Sequence, residues 1–216
     1  AVRSLWRRLS GPGAMGVLLQ GDVGTGKTAV AIAASLAVCA KGALVAFLAP
    51  TELLAEQHYA SVSKWLKGTG VDVALCTATH KRQLPSSGPR VVFGTHALLT
   101  ADEQLPGLGL VVVDEQHRFG VRQRMQLVHK GDNPHVLVMT ATPIPRTMAL
   151  ALFGDLDVVT LTSRPARRSA VRAFHVPTEK WARVIRSIER AVRREGRVFV
   201  VCPAVGEEGE KGGVMR

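Results

Sequence analysis

Aromatic side chains are scarce: six Phe, three Trp and one Tyr make up 5% of the 216 residues. A core of stacked rings is thereby excluded, and Ala, Val and Leu have to fill it. Cysteine numbers three, Cys39, Cys76 and Cys202, widely spaced and without a CxxC pair. No disulfide framework or structural zinc site follows, and reduced thiols are expected. His58, His80, His96, His129, His135 and His175 form no metal-ligand spacing either. Long apolar runs are missing too. The longest, Ala29 to Ala40, is interrupted by Ser35 and too short to span a bilayer. It follows Lys27 and a Gly-rich turn, which suits a buried helix better than a targeting segment. Acidic residues are few: 17 Asp and Glu against 28 Lys and Arg give a net charge of +11. That sign favours a polyanionic partner, nucleic acid ahead of an acidic membrane. The excess sits late in the chain, where eleven Arg and Lys between Arg164 and Arg197 face three Glu.

What is present suffices for a core. Hydrophobic residues are 46% and charged residues 21%, the balance of a soluble globular chain. At this length about 70% of the unfolded surface can be buried, which excludes disorder of the whole.

Short continuous apolar runs alternate with helical stretches. Val17 to Gln20, Leu44 to Ala49, Val71 to Thr77, Val91 to Gly94, Gly109 to Val113 and Val136 to Met139 read as strands. Lys27 to Ala40 and Thr51 to Leu66 read as helices, the second capped by its Thr. Such alternation predicts an α/β fold, a parallel sheet covered by helices on both faces. Ala1 to Leu9 reads as the tail of a helix whose start lies upstream. Residues 10–161 form the first domain and 162–169 a linker containing Pro165. Residues 170–205 begin a second domain, with strands at Ala170 to Val176 and Val198 to Cys202. Between them Thr178 is expected to cap a helix that buries Trp181, Val184, Ile185, Ile188 and Val192 and ends at Gly196. Residues 206–216 are expected to be a mobile tail.

The strongest chemical signal is GDVGTGKT, Gly21 to Thr28, between a strand and a helix. It fits the P-loop pattern GxxxxGK[ST]. Glycines let the backbone curl its N–H groups toward phosphate oxygens, and the following helix adds its positive end. Gly21, Asp22, Val23, Gly24, Thr25, Gly26, Lys27 and Thr28 are therefore the candidate ATP-binding residues. Lys27 would reach the β- and γ-phosphates and Thr28 would offer a hydroxyl to Mg²⁺. The second signal, LVVVDEQH at Leu110 to His117, ends an apolar strand in two acids. Asp114 is the candidate Mg²⁺ carboxylate, acting through water, and Glu115 the base that activates the attacking water. The third, MTATPIPRT at Met139 to Thr147, offers the hydroxyl pair Thr140 and Thr142 to sense the acidic segment. His117 could link the nucleotide to that pair.

P-loop, DEQH and TAT in this order resemble motifs I, II and III of superfamily-two helicases and translocases. The flanks LLQGDVGTGKT, APTELLAEQH, FGTHALL, VVVDEQHRFGVRQR, TATPIPRTMALALFGDLDV and VFVVCPAVGEE are similar to RecG-type ATP-dependent DNA helicases, from about Val17 to Glu208. PARRSAV, Pro165 to Val171, looks more like the related transcription-repair coupling translocases, which stay as an alternative. The resemblance implies two RecA-like lobes, ATP and Mg²⁺ as cofactors, and remodelling of branched double-stranded DNA at stalled forks and junctions. It implies a monomeric full-length protein in a bacterial-type cytoplasm, associated with the nucleoid, with no membrane and no structural metal. By motif, Pro50, Thr51, Thr95 and His96 would touch the DNA backbone, and Arg118 would couple or face DNA. Nothing resembles the QxxGRxGR motif whose arginines complete the ATP site from the second lobe. The chain is therefore expected to bind nucleotide and hydrolyse it poorly. Two rivals come from other classes. A P-loop small-molecule kinase would be indifferent to DNA, and APTELL and TAT argue against it. An isolated nucleotide-binding module without turnover remains a description of this chain alone.

Overall fold

The computed structural model describes residues 1–79, 88–95, 98, 105–114, 133–142, 156–162 and 173–202. The chain divides into two compact units, Ala1–Arg168 and Ser169–Arg216.

In the first unit β1 (Gly16–Gly21), β2 (Leu44–Leu48), β3 (Asp72–Cys76), β4 (Arg90–Gly94), β5 (Leu108–Val113), β6 (His135–Thr140) and β7 (Asp157–Leu161) make one sheet. Their order is β3-β4-β2-β5-β6-β1-β7, and every pairing is parallel. Because parallel neighbours need crossovers, all seven C-terminal ends line one edge. Six of the strands lie where continuous apolar runs predict them. The seventh, β7, is an addition to that reading. It lies at the edge, and its Asp157 and Thr160 stay exposed, so it carries no continuous apolar run.

The central strands are buried on both faces. On β2, Val45 and Phe47 join one apolar cluster while Leu44, Ala46 and Leu48 join another on the opposite side. The first cluster is closed by α1 (Val2–Leu9), α2 (Lys27–Cys39) and α3 (Glu52–Trp65), through Leu5 and Leu9, Ala31 and Val38, and Ala55 and Val62. With no large ring on α2, that helix lies close on the sheet, as the poverty in aromatics requires. The first nine residues pack onto α2. Trp6 Nε1 donates to the Ala33 carbonyl at 3.3 Å, and Lys41 Nζ donates to the Leu9 carbonyl at 3.1 Å, closing the end of α1.

The second unit differs from its sequence reading. Residues 173–177 and 196–202 carry no regular secondary structure. A strand needs a neighbour to take up its backbone groups, and the described residues of this unit supply none. Thr178–Lys180 form a short 3₁₀ turn leading into α4 (Trp181–Arg193), and no side chain caps either start. No residue of α4 is buried; Trp181 is 55% exposed. The stripe expected to be core is thus open in this unit. Its stop signal is also shifted by one residue. Glu195, not Gly196, takes the left-handed conformation (φ 59°), while Glu195 N–H donates to Val192 and Gly196 N–H to Ala191, both at 2.9 Å. This is the Schellman arrangement, in which the left-handed residue precedes the one that closes the turn.

Candidate functional site

The site starts at the end of β1. The chain must leave the strand, turn and enter α2 within five residues, and Gly24 (φ 80°) and Gly26 (φ 90°) take the left-handed backbone this demands. Gly21 is glycine for a different reason. A Cβ there would lie 2.8 Å from Thr25 Oγ1 and 2.9 Å from Leu161 Cβ of β7. The loop is stitched from within by Asp22. Its Oδ1 accepts from Val23 N at 2.7 Å, and its carbonyl accepts from Thr25 Oγ1 at 2.8 Å and Thr25 N at 3.2 Å. Lys27 folds back over this turn and donates to the carbonyls of Gly21 at 2.8 Å and Asp22 at 3.2 Å. Two of its three ammonium donors thus pin the lysine to the loop it serves.

The helix entry completes the cradle. α2 has Gly26 at its N-cap, no side-chain cap and no acid in its first turn. Its positive end is left uncompensated, as anion binding requires. The contrast with α3 is instructive. There Thr51 Oγ1 accepts from Leu54 N at 3.3 Å and Glu52 stands in the first turn. Glu52 also accepts from Ala78 N at 3.1 Å and Thr79 Oγ1 at 2.8 Å, so α3 already has its acid.

Across from the loop, β5 is followed directly by Asp114, whose N–H donates to the Leu48 carbonyl at 2.8 Å. Val23, Gly24, Gly26, Lys27, Thr28 and Asp114 line one cavity of about 310 Å³. A hydroxyl, an ammonium, the glycine loop and a carboxylate in one cleft are the donor set that Mg²⁺ and a polyphosphate need. Asp114 is nearly buried, and its Oδ2 lies 2.8 Å from His58 Nε2 of α3. Sequence reading missed His58, because α3 and β5 meet only through the fold.

The remaining candidates share the edge. Thr140 ends β6, between β5 and β1, and its hydroxyl lies 3.0 Å from that of Thr142. The pair therefore bonds within itself, next to the loop strand. Pro50 and Thr51 follow β2, and Thr95 follows β4. β2 and β4 are neighbours, with Leu48 opposite Gly94. Glu115, His117, Arg118 and His96 lie outside the described residues.

A parallel sheet whose first strand passes through a glycine loop into an uncapped helix, with a strand-end acid across the cleft, defines a P-loop nucleotide-binding protein. The chain belongs to the DEAD/DEAH box helicase family, whose model matches residues 6–150. It is 42% identical over 222 residues to the ATP-dependent DNA helicase RecG of Aquifex aeolicus, covering 98% of this chain and 28% of that one. It is 39% identical over 218 residues to the RecG of Bacillus subtilis, covering 97% and 32%. A solved structure of RecG bound to a three-way DNA junction superposes with a TM-score of 0.77 at 37% identity, over 97% of this chain and 29% of that one. The chain spans about a third or less of the length of the relatives it matches. Among the described residues no helix is long and apolar enough to cross a membrane.

Proposed function

We propose that this chain contributes the ATP-binding motor lobe of a RecG-type helicase, which couples ATP hydrolysis to the remodelling of branched double-stranded DNA. One observation carries the reading. The phosphate cradle and Asp114 share a cleft, and Pro50, Thr51 and Thr95 stand at neighbouring strand ends of the same edge. The similarity to RecG supports the choice of branched DNA.

In this reading the loop amides and the start of α2 bind the phosphates, and Lys27 follows charge onto the γ-phosphate. Thr28 and Asp114 would hold Mg²⁺, which supplies charge neutralisation at the phosphate oxygens. Glu115 takes a proton from the attacking water. Thr140, Thr142 and His117 pass the state of the acidic segment along the edge. Pro50, Thr51, Thr95, His96 and Arg118 hold the DNA backbone, which positions a strand without reading its sequence. The full-length protein acts as a monomer in the cytoplasm, at the nucleoid. Without arginines of the QxxGRxGR type, worth about 10³–10⁵ in rate where such a finger acts, this chain alone turns ATP over slowly.

The test is nucleotide binding and ATP turnover by the chain alone, with forked DNA and with structured RNA, with Lys27→Ala as blank. Binding that is lost in Lys27→Ala, with turnover near the blank, is expected. Binding unaffected by Lys27→Ala would remove the loop from the site. Brisk turnover stimulated by forked DNA would refute the slow-turnover expectation, and stimulation by RNA alone would refute the DNA reading.

A further inference from the structure

His58 has a setting that its helix alone does not explain. It stands seven residues after Thr51 on α3, with its ring against a pair of phenylalanines from adjacent strands, whose own ring centroids lie 4.9 Å apart. Phe47 of β2 lies 5.0 Å away by ring centroids, and Phe93 of β4 lies 6.4 Å away with the planes 22° apart. Both phenylalanines are fully buried. In a chain so poor in aromatics, two of its six Phe meet both each other and this imidazole. The ring is positioned by packing against this pair, and Nε2 lies 2.8 Å from Asp114 Oδ2. The side chains of His58 and Asp114 are 16% and 13% exposed, so water competes little for the bond. An ionised carboxylate only accepts, so Nε2 carries the proton. Asp114 also lines the phosphate cavity. Its backbone is fixed by β2 through Leu48, and its side-chain orientation by His58.

We propose that His58 is a positioning residue of the nucleotide site. It engages one carboxylate oxygen of Asp114 and sets the orientation in which that carboxylate meets Mg²⁺. It does so from α3, the helix that opens at Thr51. Partners of this kind, which orient a metal-binding group without touching the metal, typically govern metal affinity by about 10- to 100-fold. The inference rests on the reading of Asp114 as the Mg²⁺ carboxylate.

The experiment separates the ring from its hydrogen bond. A fluorescent ADP analogue is titrated into the 216-residue chain in EDTA and then at rising Mg²⁺. His58→Phe keeps an aromatic ring against Phe47 and Phe93 and removes the donor. His58→Gln loses the ring and keeps an N–H near the Nε2 position. The expected result is a Mg²⁺ midpoint raised about tenfold in His58→Phe and close to native in His58→Gln, with the EDTA affinity within about twofold of native in both. Asp114→Asn should raise the midpoint at least as far, and adding His58→Phe to it should raise it no further. A native midpoint in His58→Phe overturns the proposal. So does a shift in His58→Gln larger than in His58→Phe, which would assign His58 to packing. A native midpoint in Asp114→Asn would overturn the reading of Asp114 itself, a separate failure. Should His58→Phe fail to fold, His58→Gln still decides through its own midpoint, which the proposal requires to stay near native.

Discussion

At the scale of single residues, burial decides what a titratable group can do. His135 opens β6, and its Nδ1 accepts the backbone N–H of Met15 at 2.8 Å. Its pKa is held below the usual 6.5, chiefly because burial disfavours the imidazolium and also because the Lys41 charge repels it. The unfolded chain therefore takes up this proton first as pH falls. The contribution is fully present above about pH 6.5 and is lost as pH drops through the lower native value. Protonating Nδ1 would also break the bond from Met15. His135→Asn, with an acceptor and no proton to gain, should flatten that part of the Tm profile between about pH 7 and 5. An unchanged slope would remove His135 as its source. The same scale shows what was legible in the sequence. Gly24, Gly26, Lys27 and Thr28 could be read because their roles follow from local backbone chemistry. The bond between His58 and Asp114 could not, because it joins a helix and a strand 56 positions apart and exists only once β4, β2 and β5 lie side by side.

Among elements, the ends carry more information than the middles. α2 and α3 both leave the same edge of the sheet, yet one starts without a cap or an acid and the other with both. That difference, visible in the letters GK against TE, separates a phosphate cradle from an ordinary helix start. Strands were readable where both faces are buried, as in β2, β4 and β5. The edge strand β7 was not, since Asp157 and Thr160 are exposed and break its apolar pattern. The segment at residues 196–202 shows the converse, for Val198 to Val201 have strand composition but no strand beside them among the described residues. The end of α4 yields a prediction. Glu195 takes a left-handed backbone, which costs a side-chain-bearing residue about 1 kcal/mol. Glu195→Gly should relieve that strain and slow amide exchange at Gly196 by about fivefold, one kcal/mol in local opening. Faster exchange in the variant would show that the turn does not limit the helix end.

Over the whole molecule, the two compact units differ in what they bury. Cys39 lies in the core of the first, with its thiol pushed up to about 11 by burial, against an opposing effect of the Arg90 backbone. Cys202, in the second, is exposed. At about pH 8 a maleimide should therefore label Cys202 first and reach Cys39 only as the first unit unfolds. The rate at Cys39 becomes a readout of that unit alone, and it should fall when nucleotide binds and stabilises the folded form. Labelling of Cys39 as fast as Cys202 in native buffer would contradict the packing of α2 against the sheet.

The close approach of Gly21 to Leu161 has a mechanical consequence. Leu161 is the last residue of β7 and is the register partner of Gly21, the last residue of β1. The Leu161 side chain stands where Gly21 has no room for a single methyl. The end of β7 and the start of the nucleotide loop therefore have no slack between them, and a displacement of either has to be taken up by the other.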